Sequence, residues 1–194
     1  MERSTTSHGN RPGLFFFGGA ESTGSSVSLT EAAGPAELKG GAMNLFDLID
    51  VDHVNLKQMM AQLLATAAGD VDERAELRRI FGRDLTIHME AEEETLYLDL
   101  IDVDEFNLAF EALEEHMAMR FMLERVEQTR PADTRWIATF RVFSDIMNRH
   151  LQSEEDVIFP LARSTFTDEK TQQQGQRYIE AKRIATAKLA GEGG

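Results

Sequence analysis

The chain has 194 residues, 42% hydrophobic and 28% charged, with a formal net charge of −14 and no cysteine. Those totals suit one globular domain with some length to spare. They exclude disulfides, zinc–thiolate sites, iron–sulfur clusters and thiol nucleophiles, so any metal must be held by His, Asp or Glu. The acidic balance and the lack of a Lys/Arg stripe argue against a nucleic-acid or anionic-membrane surface. No apolar run approaches the roughly 18 residues of a membrane span. Leu14-Phe15-Phe16-Phe17 is too short for a secretory core. The expectation is a soluble, cytoplasmic protein.

Residues 1–42 hold eight of the fourteen glycines and six serines, with no helical period. Such a composition cannot bury enough apolar area to offset its ordering entropy, so a disordered N-terminal tail is expected there. The Phe15–Phe17 cluster is its one feature able to dock on something. Met43 stands where a compact domain would begin, which makes it a candidate start. The acid-poor beginning leaves an organelle-targeting reading open.

From Asn44 the period becomes helical. A first helix carries Leu45, Ile49, His53, Leu56, Met60 and Leu63 at intervals of three or four and ends at Gly69-Asp70. A second, about 71–101, has the stripe Leu77, Phe81, Leu85, His88, Glu92 and Leu96. A third, about 104–129, carries Phe106, Phe110, Leu113, His116, Arg120 and Leu123. Pro131 breaks it. The fourth, from about Asp133, shows Trp136, Phe140, Phe143, Met147, His150, Glu154, Ile158 and Leu161, with Pro160 expected to kink or end it. A last amphipathic segment, Asp168 to about Leu189, carries Tyr178, Ile179 and Ile184, with Gly175 weakening its middle. No strand pattern occurs. The predicted fold is all-α: an up-down-up-down antiparallel four-helix bundle with an additional C-terminal helix, over residues 43–190.

Two stretches repeat one another. His88-Met89-Glu90-Ala91-Glu92-Glu93 is echoed by His150-Leu151-Gln152-Ser153-Glu154-Glu155. Residues four apart on a helix share a face, so each stretch offers an imidazole and a carboxylate about 6 Å apart along the axis. Such a pair holds one edge of a metal centre, and two pairs suit a dinuclear one. His53 and His116 complete the pattern: all four histidines lie on apolar stripes, one per helix. The spacings of 35 (His53 to His88) and 34 (His116 to His150) describe a duplicated hairpin with matching lead-ins, Asp52-His53 and Glu115-His116. Burying four imidazoles and two carboxylates without a metal would cost several kcal/mol. Imidazole and carboxylate without sulfur suit iron, manganese or zinc, and two bridging carboxylates suit two ions about 3.5–4 Å apart.

These motifs (Asp52-His53, His88-x-x-x-Glu92-Glu93 ending in Leu96-Tyr97, Glu115-His116, and His150-x-x-x-Glu154-Glu155 ending in Phe159-Pro160) resemble the hemerythrin-like HHE cation-binding family from Asn44 to about Leu189. The resemblance implies a four-helix bundle with two non-haem iron ions, manganese or zinc being the other choices. The implied metal ligands are His53, His88, Glu92, His116, His150 and Glu154, with a bridging oxide or hydroxide. The chain departs from the oxygen carriers, which have a second histidine where Arg120 stands and place the helix-four carboxylate at the position of Glu155. Glu154 is preferred here because it copies the His88–Glu92 spacing. Four histidines and two glutamates resemble instead the bacterial branch that includes iron–sulfur repair proteins, whose cysteine-containing extra domain is missing here. Two histidines, two carboxylates and the bridge leave an open position at each ion. The expected function is redox chemistry on dioxygen, peroxide or nitric oxide. The alternatives are a reversible oxygen or nitric-oxide binder or sensor, and an iron buffer without turnover. No catalytic residue, redox donor or protein partner can be named. Glu90, Glu93, Glu94 and Asp156 are expected to face water. Arg120 is expected at the bundle edge, and Tyr97 in the core or as a donor to the site. Met59, Met60, Met117, Met122 and Met147 are expected as core filler.

Overall fold

The computed structural model describes residues 43–103 and 106–192. The expected tail, residues 1–42 with Phe15–Phe17, lies outside the described residues. Among the described residues the chain forms five helical rods and no strand. Helix α1 is Leu45–Ala65. Helix α2 starts as Val71–Glu92, passes without a break through a π-helical turn, Glu93–Tyr97, and finishes as Leu98–Asp102. Helix α3 is Phe106–Gln128. Helix α4 repeats the plan of α2: Trp136–Ser153, a π-helical turn Glu154–Ile158, then Phe159–Thr165. Helix α5 is Asp168–Glu192. No helix among the described residues is long and apolar enough to cross a membrane.

Local chemistry accounts for the ends. Asn44 caps α1 in a reciprocal box, its side chain accepting from the Asp47 N–H while Asp47 accepts from the Asn44 N–H, which satisfies two donors a helix start leaves open. The loop after α1 closes on Arg74, which is buried and among the described residues pairs with no carboxylate. Arg74 donates instead to Thr66 Oγ1, to the carbonyls of Thr66 and Ala67, and to the carbonyl of Pro131, and it lies over the Trp136 ring. One side chain thereby ties the end of α1 to the α3–α4 connection. Pro160 does not end α4. It falls at the start of the segment after the π turn, where a missing N–H costs least.

Two apolar clusters fill the interior. One includes Leu45, Ile49, Leu96, Leu100, Ala109, Ala112, Ile158 and Phe159. The other includes Leu56, Leu63, Phe81, Leu85, Met119, Trp136, Phe143 and Met147. On α1 and α3 the histidine falls between them, His53 between Ile49 and Leu56 and His116 between Ala112 and Met119, and His88 and His150 lie at the same level on α2 and α4. A polar layer is thus sealed above and below by hydrocarbon.

The buried face of α3 differs from the expected stripe. Ala109, Ala112, His116, Met119, Leu123 and Val126 point inward, while Phe110 and Met117 are more than half exposed. The large residues drew attention in the sequence, but alanine is what lets α3 come close. Helix α5 shows the same inversion: Thr171, Gln174, Gly175 and Tyr178 are buried, and Ile179 and Ile184 are exposed. Gly175 is a close-approach position, since a Cβ there would stand 2.7 Å from the Met43 carbonyl oxygen. Helix α5 is further fastened through buried Asp99, which accepts from Gln174 Nε2 and lies 3.0 Å from Lys170 Nζ and 3.2 Å from Arg177 Nη1.

Candidate metal centre

All six candidate ligands meet in the polar layer, each 0–1% exposed. The four rods deliver them as the spacing requires, because the i, i+4 pairs His88–Glu92 and His150–Glu154 lie on one face. Ligand-type atoms of His53, His88, Glu92 and Glu154 all lie within 4.8 Å of one another, and those of Glu92, His116 and His150 form a second such group. Glu92 belongs to both. The ring nitrogens facing inward are the Nε2 atoms. His88 Nε2 is 3.2 Å and His116 Nε2 3.5 Å from Glu92 Oε2, while His53 Nε2 is 3.2 Å and His150 Nε2 3.4 Å from Glu154 Oε2. These are ion-pair separations. The Nε2 atoms of His53 and His88, both oxygens of Glu92 and Oε2 of Glu154 are buried without an aligned hydrogen bond. His116 Nε2 and His150 Nε2 are 3.0 Å apart, a spacing that suits two nitrogens each about 2.0–2.1 Å from one ion.

The outward nitrogens are all engaged. His53 Nδ1 is 2.9 Å from Glu155 Oε1, His116 Nδ1 is 2.8 Å from Glu93 Oε1, and His150 Nδ1 is 2.9 Å from Glu115 Oε2. A carboxylate only accepts, so each Nδ1 carries a proton, and the inward Nε2 is the nitrogen that would give its lone pair to a metal once its own proton is displaced. Outer partners of this kind orient a histidine ligand and raise its basicity. His88 differs: its Nδ1 is 3.0 Å from the Tyr178 hydroxyl, which donates to Asp52 Oδ2 at 2.6 Å.

The duplication therefore runs deeper than the six ligands. Glu155 on His53 corresponds to Glu93 on His116, each carboxylate following the inward glutamate of its own motif. A cation four residues past each of those histidines shares the carboxylate: Lys57 Nζ lies 2.6 Å from Glu155 Oε1, and Arg120 Nη1 lies 2.7 Å from Glu93 Oε1. Glu115 on His150 corresponds to Asp52 near His88. Sequence reasoning missed this set. Glu93 is not a water-facing charge but the partner of His116. Arg120 is fixed to Glu93 rather than loose at the edge. Glu94 and Asp156 are exposed, as expected. The available signal was the pairing of lead-ins, Asp52-His53 with Glu115-His116.

The π turns set the aromatic residues. Tyr97 and Phe159 stand five residues after Glu92 and Glu154, out of phase in an α-helix but in phase once a π turn adds a residue. Tyr97 is fully buried and donates to Glu154 Oε1 at 2.5 Å. Phe159 instead stacks on His53, with ring centroids 5.7 Å apart.

Charge follows from this packing. Burial opposes ionisation of Glu92, yet His88, His116 and His53 hold its carboxyl well below the ordinary range. Burial likewise works against the imidazolium of His53, but Glu154 and Glu92 raise its pKa to about 10. His116 rises to about 9, with Glu92 and Glu93 overcoming the same penalty. Burial, with the charge of Glu154 and Glu92, keeps the Tyr97 phenol protonated. Burial with Glu92 and Asp52 does so for Tyr178. The layer binds protons tightly because it concentrates carboxylate charge, which is also what holds a cation.

Fold and site together define an all-helical protein with a buried His/Glu cluster fitted to metal. The hemerythrin HHE cation binding domain model matches residues 44–162, and the chain belongs to that family. The crystal structure of a hemerythrin HHE cation binding domain-containing protein from Mycobacterium kansasii superposes with a TM-score of 0.68. That match covers 75% of this chain and 89% of that one at 18% identity, a likeness of fold. A protein of Nostoc sp. (strain PCC 7120) described as a DNA nickase is 27% identical over 172 residues. That alignment takes in 86% of this chain but 48% of the relative, so the chain spans about half the length of that protein.

Proposed function

We propose that this domain, residues 43–190 arranged as an up-down-up-down antiparallel bundle with α5 added, holds two non-haem iron ions and handles dioxygen, peroxide or nitric oxide by redox chemistry. In this reading His53 and His88 would hold one ion and His116 and His150 the other, with Glu92 and Glu154 as the carboxylate ligands between them. The observation that carries it is the set of buried inward atoms (two Nε2 and three carboxylate oxygens) without an aligned partner, an arrangement that costs several kcal/mol unless a cation completes it. Carboxylate and imidazole donors in a bundle core favour iron, manganese or zinc over calcium or magnesium, and iron is the choice the family resemblance adds.

Two bound iron ions would supply one-electron changes at adjacent centres. The protein's part is positional. Glu155, Tyr178, Glu93 and Glu115 fix the four imidazoles with Nε2 inward. Tyr97 keeps its phenol proton and donates it in a hydrogen bond to Oε1 of Glu154, and the two apolar clusters exclude bulk water. The placement is taken as cytoplasmic. The net charge of −14 repels a phosphate backbone, so the nicking named for the Nostoc protein is not proposed for this chain.

The test is to load the full chain with iron anaerobically, measure metal per chain, and then add oxygen and peroxide while recording visible spectra and oxygen release. Two ions per chain with peroxide consumption supports the reading. One ion per chain at full site order refutes the dinuclear centre. Two ions with reversible oxygen spectra and no turnover makes the protein a binder, and two inert ions make it a buffer.

A further inference from the structure

The duplicated centre is broken in its outer shell at one place. Three of the four histidines give their Nδ1–H directly to a carboxylate, at 2.8–2.9 Å. By the internal symmetry Asp52 should do for His88 what Glu115 does for His150. Aspartate is one methylene shorter, and Asp52 Oδ2 stops 3.7 Å from His88 Nδ1, beyond hydrogen-bond reach. The Tyr178 hydroxyl fills the interval. Its single hydrogen goes to Asp52 at 2.6 Å, so it accepts from His88 at 3.0 Å. Lys182 Nζ holds Asp52 from the other side, 2.6 Å from both oxygens. Tyr178 and Lys182 stand on α5, beyond the residues 44–162 that the family model covers. Tyr178 is 1% exposed and its helix is seated by Gly175 and Asp99, so the hydroxyl has little freedom to leave.

We propose that the two halves of the centre are unequal because Asp52 falls short of His88, with Tyr178 a positioning residue that only partly makes up for the missing carboxylate: the ion served by His53 and His88 is the more weakly held and exchanges first. The inference rests on the dinuclear reading above. Its physical basis is the donor strength of the imidazole. A carboxylate on Nδ1 withdraws the ring proton toward itself and makes Nε2 a better ligand, whereas a neutral phenol does so less. The cations do not cancel the difference, because Lys57 and Arg120 draw on Glu155 and Glu93 alike. Helix α5 thus gives His88 a hydroxyl where His150 has a carboxylate, a weaker support than Glu115 supplies but stronger than none.

The test follows metal release from the iron-loaded full chain in excess iron(II) chelator, with metal per chain measured beforehand and helical content checked by circular dichroism. Wild type is expected to lose its ions in two phases of equal amplitude. Tyr178→Phe keeps the ring and removes only the hydroxyl, and it should speed the fast phase about tenfold while sparing the slow one. Asp52→Glu combined with Tyr178→Phe rebuilds the carboxylate–imidazole pair of the other half and should slow the fast phase toward the slow one. Asp99→Asn loosens the seat of α5 without touching His88 and should leave the phase ratio unchanged. A single phase in wild type, or equal acceleration of both phases in Tyr178→Phe, overturns the inference while leaving two ions per chain intact. An effect of Asp99→Asn as large as that of Tyr178→Phe also overturns it, because the helix and not the hydroxyl would then be responsible. Fewer than two ions per chain in wild type overturns the dinuclear reading, and this inference with it.

Discussion

Replacing Gly175 by alanine sets two effects of known size against each other. In a helix interior alanine is favoured over glycine by about 0.8–1.0 kcal/mol, so from the sequence Gly175→Ala should stabilise α5. The structure reverses the sign. A Cβ at 175 would lie 2.7 Å from Met43 O and 3.2 Å from both Asn44 C and Leu45 N, against an optimum of about 3.5–4.0 Å for carbon contacts. All three atoms are backbone at the start of α1, held by the Asn44–Asp47 box, and none can rotate aside. Overpacking of this kind costs about 1–3 kcal/mol, so a net loss of up to about 2 kcal/mol is expected. Gly82→Ala is the internal control. Its new Cβ would meet Glu127 Oε1 at 3.1 Å, the tip of a flexible side chain, with Leu123 at 3.5 Å. It should keep most of the propensity gain. Urea unfolding of the metal-free full chain, followed by circular dichroism, measures both. A Gly175→Ala protein more stable than wild type by the propensity difference would refute the close approach, and with it the seating that holds Tyr178 one turn away.

At saturating iron, Glu92→Ala and Glu154→Ala should each abolish the dinuclear spectrum. Glu93→Ala and Glu155→Ala should keep two ions with about 10–100-fold weaker affinity, since they remove only the outer partner of one histidine; loss of both ions in Glu155→Ala would place the ligand there instead. Arg74→Met strips three carbonyls and a hydroxyl of their donor and should cost about 2–3 kcal/mol without changing metal per chain, as elemental analysis beside a thermal melt would show. In metal-free protein the pKa values of His53 and His116 stand at about 10 and about 9, above the ordinary 6.5. Their stabilisation is therefore complete below pH 6.5 and lost as pH rises toward 9–10. Iron binding needs unprotonated imidazole and strengthens over the same range. The gap in melting temperature between iron-loaded and metal-free protein should widen from pH 6.5 to 9, and a constant gap would contradict this proton linkage.

What the sequence made legible is what one helix can say about itself. His88–Glu92 and His150–Glu154 were readable because four residues make one turn, and the apolar stripes of α1 and α4 were readable for the same reason. The faces of α3 and α5 were misjudged because closeness there comes from Ala109, Ala112 and Gly175, residues that carry little hydrophobic signal. The π turns leave no local pattern in the residue types, yet they bring Tyr97 onto Glu154. The outer shell is long-range. Glu155 lies 102 residues from His53 and Glu115 lies 35 from His150, so no periodicity connects them.

The repeat could nevertheless have led to these partners. Once two halves are known to correspond, every position has a counterpart, and a mismatch between counterparts locates specialisation. Asp52 against Glu115 is such a mismatch: a missing methylene leaves a gap that Tyr178, from outside the repeat, fills. Tyr97 against Phe159 is the other, a hydroxyl present on one inward glutamate and absent from its twin. The chain has two tyrosines, and each stands at one of these breaks. If the halves of the duplicated site began alike, the two hydroxyl groups mark where they now differ, Tyr178 beside His88 and Tyr97 donating to Glu154 Oε1.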